Sequence, residues 1–185
     1  MLRNSPLQGM SLSFTMTAMS LLFLLVFFTL NYHSQADLVA DTCKKVDYPD
    51  LCLSTLRSNP RSKSVDHEEL ACIAFDAALA KSTNTLNQIM LLLKKTNEPI
   101  LKKYLTTCAS LYGDAVDGIP QAIRFVGSDN FQANLYGGVA LDDAIDCEET
   151  FTTGELGKRK SPLTASNNVV KQLVTNALAI VNSLG

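Results

Sequence analysis

Apolar residues recur along this chain in alternating steps of three and four, the spacing of one buried stripe per helix. The longest unbroken run is Leu101, Leu105, Cys108, Tyr112, Ala115, Ile119, Ala122 and Val126. It predicts a helix packed lengthwise against neighbours in a bundle. Gly127, Ser128 and Asp129 follow, a glycine to stop one helix and a serine or aspartate to start the next. The second helix carries Ala133, Gly137, Ala140, Ala144, Cys147 and Phe151. Counted from Ser128, Cys108 lies 20 residues back and Cys147 lies 19 forward. At about 1.5 Å of rise per residue the two sulfurs stand level on facing helices, where a bridge can close.

The flanking segments keep the same period. A long helix is expected from Asp66, with Asp66, Glu68 and Glu69 at its positive end. Cys72, Leu79, Leu86 and Leu93 recur every seven residues in it, with Phe75 and Ile89 beside them, and Asn97-Glu98-Pro99 ends it. Pro120 should bend the following helix by removing one backbone hydrogen bond. After a loop from Thr152 to Lys160, Ser161-Pro162 should open the last helix, whose stripe is Val170, Leu173, Ala177, Ile180 and Leu184. No stretch alternates in the manner of a strand. The expected fold is all-α, an up-down-up-down four-helix bundle over residues 63–185. Residues 37–62 are read as an α-hairpin and connector. Cys43 and Cys52 flank the turn Asp47-Tyr48-Pro49-Asp50, and that symmetry suggests a hairpin closed by Cys43–Cys52. Closing so short a loop removes roughly 2.7 kcal/mol of unfolded-state freedom on chain-entropy grounds, against roughly 3.9 kcal/mol for Cys108–Cys147. Asn59-Pro60-Arg61-Ser62 connects the hairpin to the bundle.

Composition changes this picture at the N-terminus. Leu21 to Leu30 is a ten-residue apolar core, short for a membrane span, and Ser34-Gln35-Ala36 offers small residues to a signal peptidase. Residues 1–36 are therefore read as a signal peptide cleaved before Asp37, the alternative being an uncleaved anchor. Cleavage leaves 149 residues with a net charge of −3, enough chain for one domain and no basic stripe for nucleic acid. All five cysteines fall after that point, which fits an oxidising compartment. Cys72 has no cysteine level with it across the Asn97 turn, where residue 122 is alanine, and is read as a buried free thiol.

The chemical inventory argues against catalysis. After cleavage His67 is the one histidine left, at the start of a helix and away from any nucleophile. Glu-X-X-His pairs, clustered cysteines and phosphate loops are all missing, so neither metal nor cofactor is expected. Gly137-Gly138 is read as a close helix contact. Asp142, Asp143, Asp146, Glu148 and Glu149 are read as a solvated helix face. A binding protein is what remains, and it is expected to be monomeric.

Several short motifs then carry a resemblance. Cys43, Tyr48-Pro49, Cys52 and Asn59-Pro60-Arg61-Ser62 come first. Cys108, Tyr112, Ala115-Val116, Phe131 and Ala133-Asn134 follow. Cys147-Glu148-Glu149, Phe151, Ser161-Pro162-Leu163-Thr164 and Asn167 complete the series. Taken in this order, they make the mature region similar to the plant invertase inhibitor and pectin methylesterase inhibitor family. The resemblance implies a four-helix bundle with disulfides Cys43–Cys52 and Cys108–Cys147. It also implies a secreted apoplastic or vacuolar protein that binds one carbohydrate-active enzyme 1:1 and covers its cleft. Some invertase inhibitors of the family carry Pro-Lys-Phe in the turn after the second bundle helix; here the positions read Asp129, Asn130 and Phe131. Pectin methylesterase inhibitors often have threonine before the fourth cysteine; here it is Asp146. These four residues are the candidate partner interface. The loss of the lysine tilts the reading to pectin methylesterase, with invertase as the alternative and an apolar-ligand carrier as a remoter one.

Overall fold

The helix boundaries follow from residues that satisfy orphan backbone groups. In the computed structural model, which describes Val26 and residues 38–63, 65–154 and 157–185, Asp66 caps the first long helix by accepting the Glu69 N–H at 2.9 Å. Glu98 accepts the N–H groups of Ile100 and Leu101 to start the second, with Pro99 at its first position. Asp129 accepts the Gln132 N–H to start the third. Each carboxylate also sits at the positive end of its helix.

Among the described residues the main helices are α1 Pro49–Ser58, α2 His67–Lys95, α3 Pro99–Phe125, α4 Asn130–Thr153 and α5 Thr164–Asn182, with a 3-10 turn at Pro60–Lys63. Residues 38–43 are also helical. Among the described residues there is no strand. α4 packs against α3 and α5, and α2 packs against the same two helices, which closes the four-helix bundle. This is the all-α bundle that the spacing predicts. The expected signal segment, residues 1–36, lies outside the described residues apart from Val26. No helix among the described residues is long and apolar enough to cross a membrane.

The core stripes of α3 and α4 are those read from the sequence, Leu105 to Ala122 on one and Ala133 to Phe151 on the other. At Gly127 the backbone turns left-handed, φ 77°, and the N–H groups of Ser128 and Asp129 both return to Phe125 O. Gly137 is buried where α4 meets α2 and α5. A Cβ there would lie 2.7 Å from Leu178 and 2.9 Å from Phe75. The small residues thus set close helix approach and leave no room between these side chains for an apolar ligand.

In two helices the structure departs from the expected pattern. In α2 the buried line runs Ala71, Ala74, Phe75, Ala78, Ser82, Thr85 and Ile89, while Cys72, Leu79, Leu86 and Leu93 are only half-buried along its edge. An α-helix turns every 3.6 residues, so a strict seven-residue repeat drifts off the core. Small residues allow α2 to come close, and Thr85 satisfies its hydroxyl on Lys81 O. In α5, Ser161 accepts the Leu163 N–H at 3.0 Å in a turn of its own, and the helix begins only at Thr164.

The N-terminal hairpin joins residues 38–43 to α1 through Cys43–Cys52, with Cα atoms 5.5 Å apart. Its turn is held to the bundle by one side chain. Asn176 of α5 accepts the Tyr48 N–H at 3.0 Å and donates to Tyr48 O at 2.9 Å. Asn176 is itself buried, so both bonds are shielded from water.

Candidate functional site

Several motif residues converge on one polar junction that runs from the core at Tyr112 and Asn167 to the surface at Thr164. Tyr112 of α3 donates to Asn167 Oδ1 at 2.8 Å, and Asn167 Nδ2 donates to Glu148 Oε2 at 2.7 Å. Thr164 holds the other carboxylate oxygen at 2.6 Å. Beside this junction Cys108 and Cys147 are bonded, with Cα atoms 4.8 Å apart. α3, α4 and α5 are thereby locked by one covalent bond and a satisfied network. Burial drives the Tyr112 phenol well above its ordinary pKa, so it stays a neutral donor. A second lock closes the 157–160 loop: Tyr104 donates to Gly157 O at 2.9 Å, and Arg159 pairs with Glu98. That hydrogen bond lowers the Glu98 carboxyl below its usual range.

The four residues expected at an interface occupy two different settings. Asp129 caps α4. Asn130 accepts the Gly127 N–H at 2.9 Å and donates to Gly185 O at 3.1 Å, so its amide is committed inside the turn. Phe131, the next residue, is 73 % exposed. Asp146 is exposed farther along α4. At 100° per residue, Phe131, Leu135, Val139, Asp142 and Asp146 fall within an arc of about 80°, and Phe131 and Asp146 are about 22 Å apart along the axis.

This face joins Phe131 to Asp146 and leaves out Asp129 and Asn130. Leu135 and Val139, 51 % and 47 % exposed, continue an apolar strip from Phe131; Asp142 and Asp146 continue it as an acidic one. The sequence carried a signal for the strip, since these three apolar residues recur at steps of four off the Ala133–Phe151 seam. α4 contains five acidic residues and no lysine or arginine. At the α3–α4 end, Phe125 and Tyr136 stack with ring centroids 5.9 Å apart, and the Arg124 guanidinium lies 5.5 Å from the Phe125 ring.

Other titratable groups have structural explanations. Cys72 is the unpaired cysteine, half-buried rather than buried, with its sulfur 3.9 Å from Ile123 O. Burial first, then Glu69 and Asp76, push its thiol up to about 11, so it stays protonated and unreactive near neutrality. Arg61 of the connector bonds Glu69 through Nε at 2.8 Å and Asp76 at 2.7 Å, which ties the 3-10 turn to α2. Beside it an open cleft of about 320 Å³ is lined by Thr55, Ser58, Asn59, Pro60, Ile73, Asp76 and Ala77. His67 is exposed. Among the described residues no group of three or more His, Cys, Asp or Glu is placed to hold a metal ion. The acidic run of α4 departs from expectation at two positions: Glu148 is half-buried and bonded to Asn167 and Thr164, and Asp143 is buried, 7 % exposed, because it faces inward one residue before the Ala144 seam position.

Comparison with known proteins gives these features a context. A sequence model described as "Plant invertase/pectin methylesterase inhibitor" matches residues 37–180. A Platanus orientalis protein described as a candidate invertase inhibitor is 37 % identical over 158 residues, covering 81 % of this chain and 91 % of that one. A pectinesterase inhibitor of Actinidia deliciosa is 36 % identical over 115 residues, 62 % of each chain. The crystal structure of a mutant pectin methylesterase inhibitor from Arabidopsis superposes with a TM-score of 0.63 at 26 % identity, covering 76 % of this chain and 92 % of that one.

Proposed function

The chain belongs to the plant invertase/pectin methylesterase inhibitor family, and from that membership we propose that it blocks a pectin methylesterase by covering its active-site cleft with the outer face of α4. Members of this family are enzyme inhibitors rather than catalysts, and this chain shares their fold. In this reading residues 1–36 direct secretion and are removed, and residues 37–185 act outside the cell as a monomer that forms a 1:1 complex.

The observation that carries the reading is the strip Phe131-Leu135-Val139 with Asp142 and Asp146 beyond it, an exposed apolar patch on a doubly locked scaffold. Large apolar side chains kept in water mark an interaction surface, and an exposed aromatic is the usual anchor. Because α3, α4 and α5 are already locked, little conformational freedom is lost when the face binds. Rim carboxylates then set orientation and partner choice more than affinity.

The preference for pectin methylesterase over invertase rests on the turn before α4. The position that is lysine in some invertase inhibitors is Asn130, whose amide is held by Gly127 and Gly185, and α4 supplies no other cation to meet carboxylates of an invertase site. A second reading, invertase as the target, is favoured by the 37 % identity to the Platanus protein. Mixing residues 37–185 with each enzyme separates the two readings by inhibition and by co-elution. We expect a 1:1 complex and lost activity with pectin methylesterase; the same result with invertase alone would reverse the assignment, and binding to neither would overturn both.

A further inference from the structure

Asp143 is a buried charge without a counterpart. Its Oδ2 is shielded from solvent and accepts no hydrogen bond, and its residue exposure is 7 %. The charges that act on it are all acidic, Asp114 from α3 and Asp146 and Asp142 from its own helix. α3 also presents the neutral Tyr112 phenol, which feels the charge of Asp143. α5, the other helix against α4, has one charged side chain, Lys171, and among the described residues no ion pair joins it to Asp143. An ionised carboxylate in such a place loses hydration and gains only repulsion, whereas the neutral acid loses far less.

We propose that Asp143 is a pH-sensitive latch between α3 and α4: neutral, its carboxyl stays seated in the helix interface, and ionised, it loosens α4 from α3. The inference stands on the bundle alone and holds whatever enzyme the outer face binds. Its direction follows from linkage. Burial, and after it the three aspartates, raise the carboxyl from 3.8 to about 6. Below pH 3.8 both folded and unfolded chains carry the proton and the full stability is present. Between that value and about 6 the unfolded chain releases the proton first, so stability declines as pH rises and stays low above that window. The folding constant should fall by up to about a hundredfold across it.

The test is equilibrium unfolding of residues 37–185 between pH 3.5 and 8, wild type against Asp143→Asn, with amide hydrogen exchange of α4 normalised to intrinsic rates. Wild type should lose stability relative to the variant across that window, and α4 protection should drop in wild type only. Parallel stability profiles, or protection in α4 that does not change with pH, would overturn the latch. If Asp143→Asn does not fold, carboxyl-carbon NMR of the wild type decides: a midpoint near 6 for Asp143 supports the proposal, and one near 4 rejects it.

Discussion

The hairpin and the α3–α4 pair each carry a disulfide, yet the two bonds act in opposite circumstances. In the hairpin, Cys43–Cys52 closes nine residues of separation, and Val39, Val46 and Leu56 are its buried aliphatic residues. The bond stands in for a core that the segment is too short to build. In α3–α4, Cys108–Cys147 spans 39 residues and lies among Leu105, Tyr112, Ala144 and Phe151, all buried, beside the Tyr112–Asn167–Glu148 network. There the bond reinforces packing that already exists. The contrast teaches that covalent closure matters for order in the first region and for stiffness in the second.

Breaking the larger closure should cost most. Replacing Cys108 and Cys147 together by serine is expected to lower stability by about 3.9 kcal/mol while leaving a helical bundle, measurable by denaturant unfolding followed by circular dichroism. Asn167→Ala comes next, at about 3 kcal/mol, because it strands the buried Tyr112 hydroxyl and one Glu148 oxygen together. Asn176→Ala sharpens the contrast from the other side. It should cost about 2 kcal/mol and free the hairpin selectively, so that limited proteolysis cuts near Tyr48 while α3–α4 stays protected. Asp129→Ala removes the α4 cap alone, at about 1 kcal/mol in thermal unfolding. Phe131→Ala should change stability by less than about 0.5 kcal/mol, since its ring is in water, but weaken enzyme inhibition by roughly thirtyfold.

What the sequence disclosed tracks the range over which each cause acts. The buried faces of α3 and α4 were readable because a helical stripe repeats within a few residues, and the levels of Cys108 and Cys147 followed from counting along two rods. The α2 stripe misled, since a seven-residue leucine repeat is close to the helical period without matching it, and the true core face uses alanine, serine and threonine. Asn176 was out of reach for a different reason: its partner, Tyr48, is 128 residues away, and nothing local marks an asparagine as buried. Asp143 looked like its exposed neighbours because three aspartates and two glutamates crowd one stretch, and only the packed α3 shows which of them turns inward. Of the four residues expected at an interface, two lie on one exposed face of α4 and two do not. Phe131 and Asp146 stand on the exposed face, Asp129 and Asn130 serve the turn, and Leu135 and Val139 were visible as an off-seam apolar repeat.

The claim on which the account turns is that a locked bundle offers the Phe131–Leu135–Val139 strip of α4 to an enzyme. The direct measurement is titration of pectin methylesterase activity with the wild-type protein and with a Phe131→Ala, Leu135→Ala double variant whose unfolding curve matches wild type. The account predicts stoichiometric inhibition by wild type and a loss of at least roughly thirtyfold in the variant. Equal inhibition by the two proteins would contradict it.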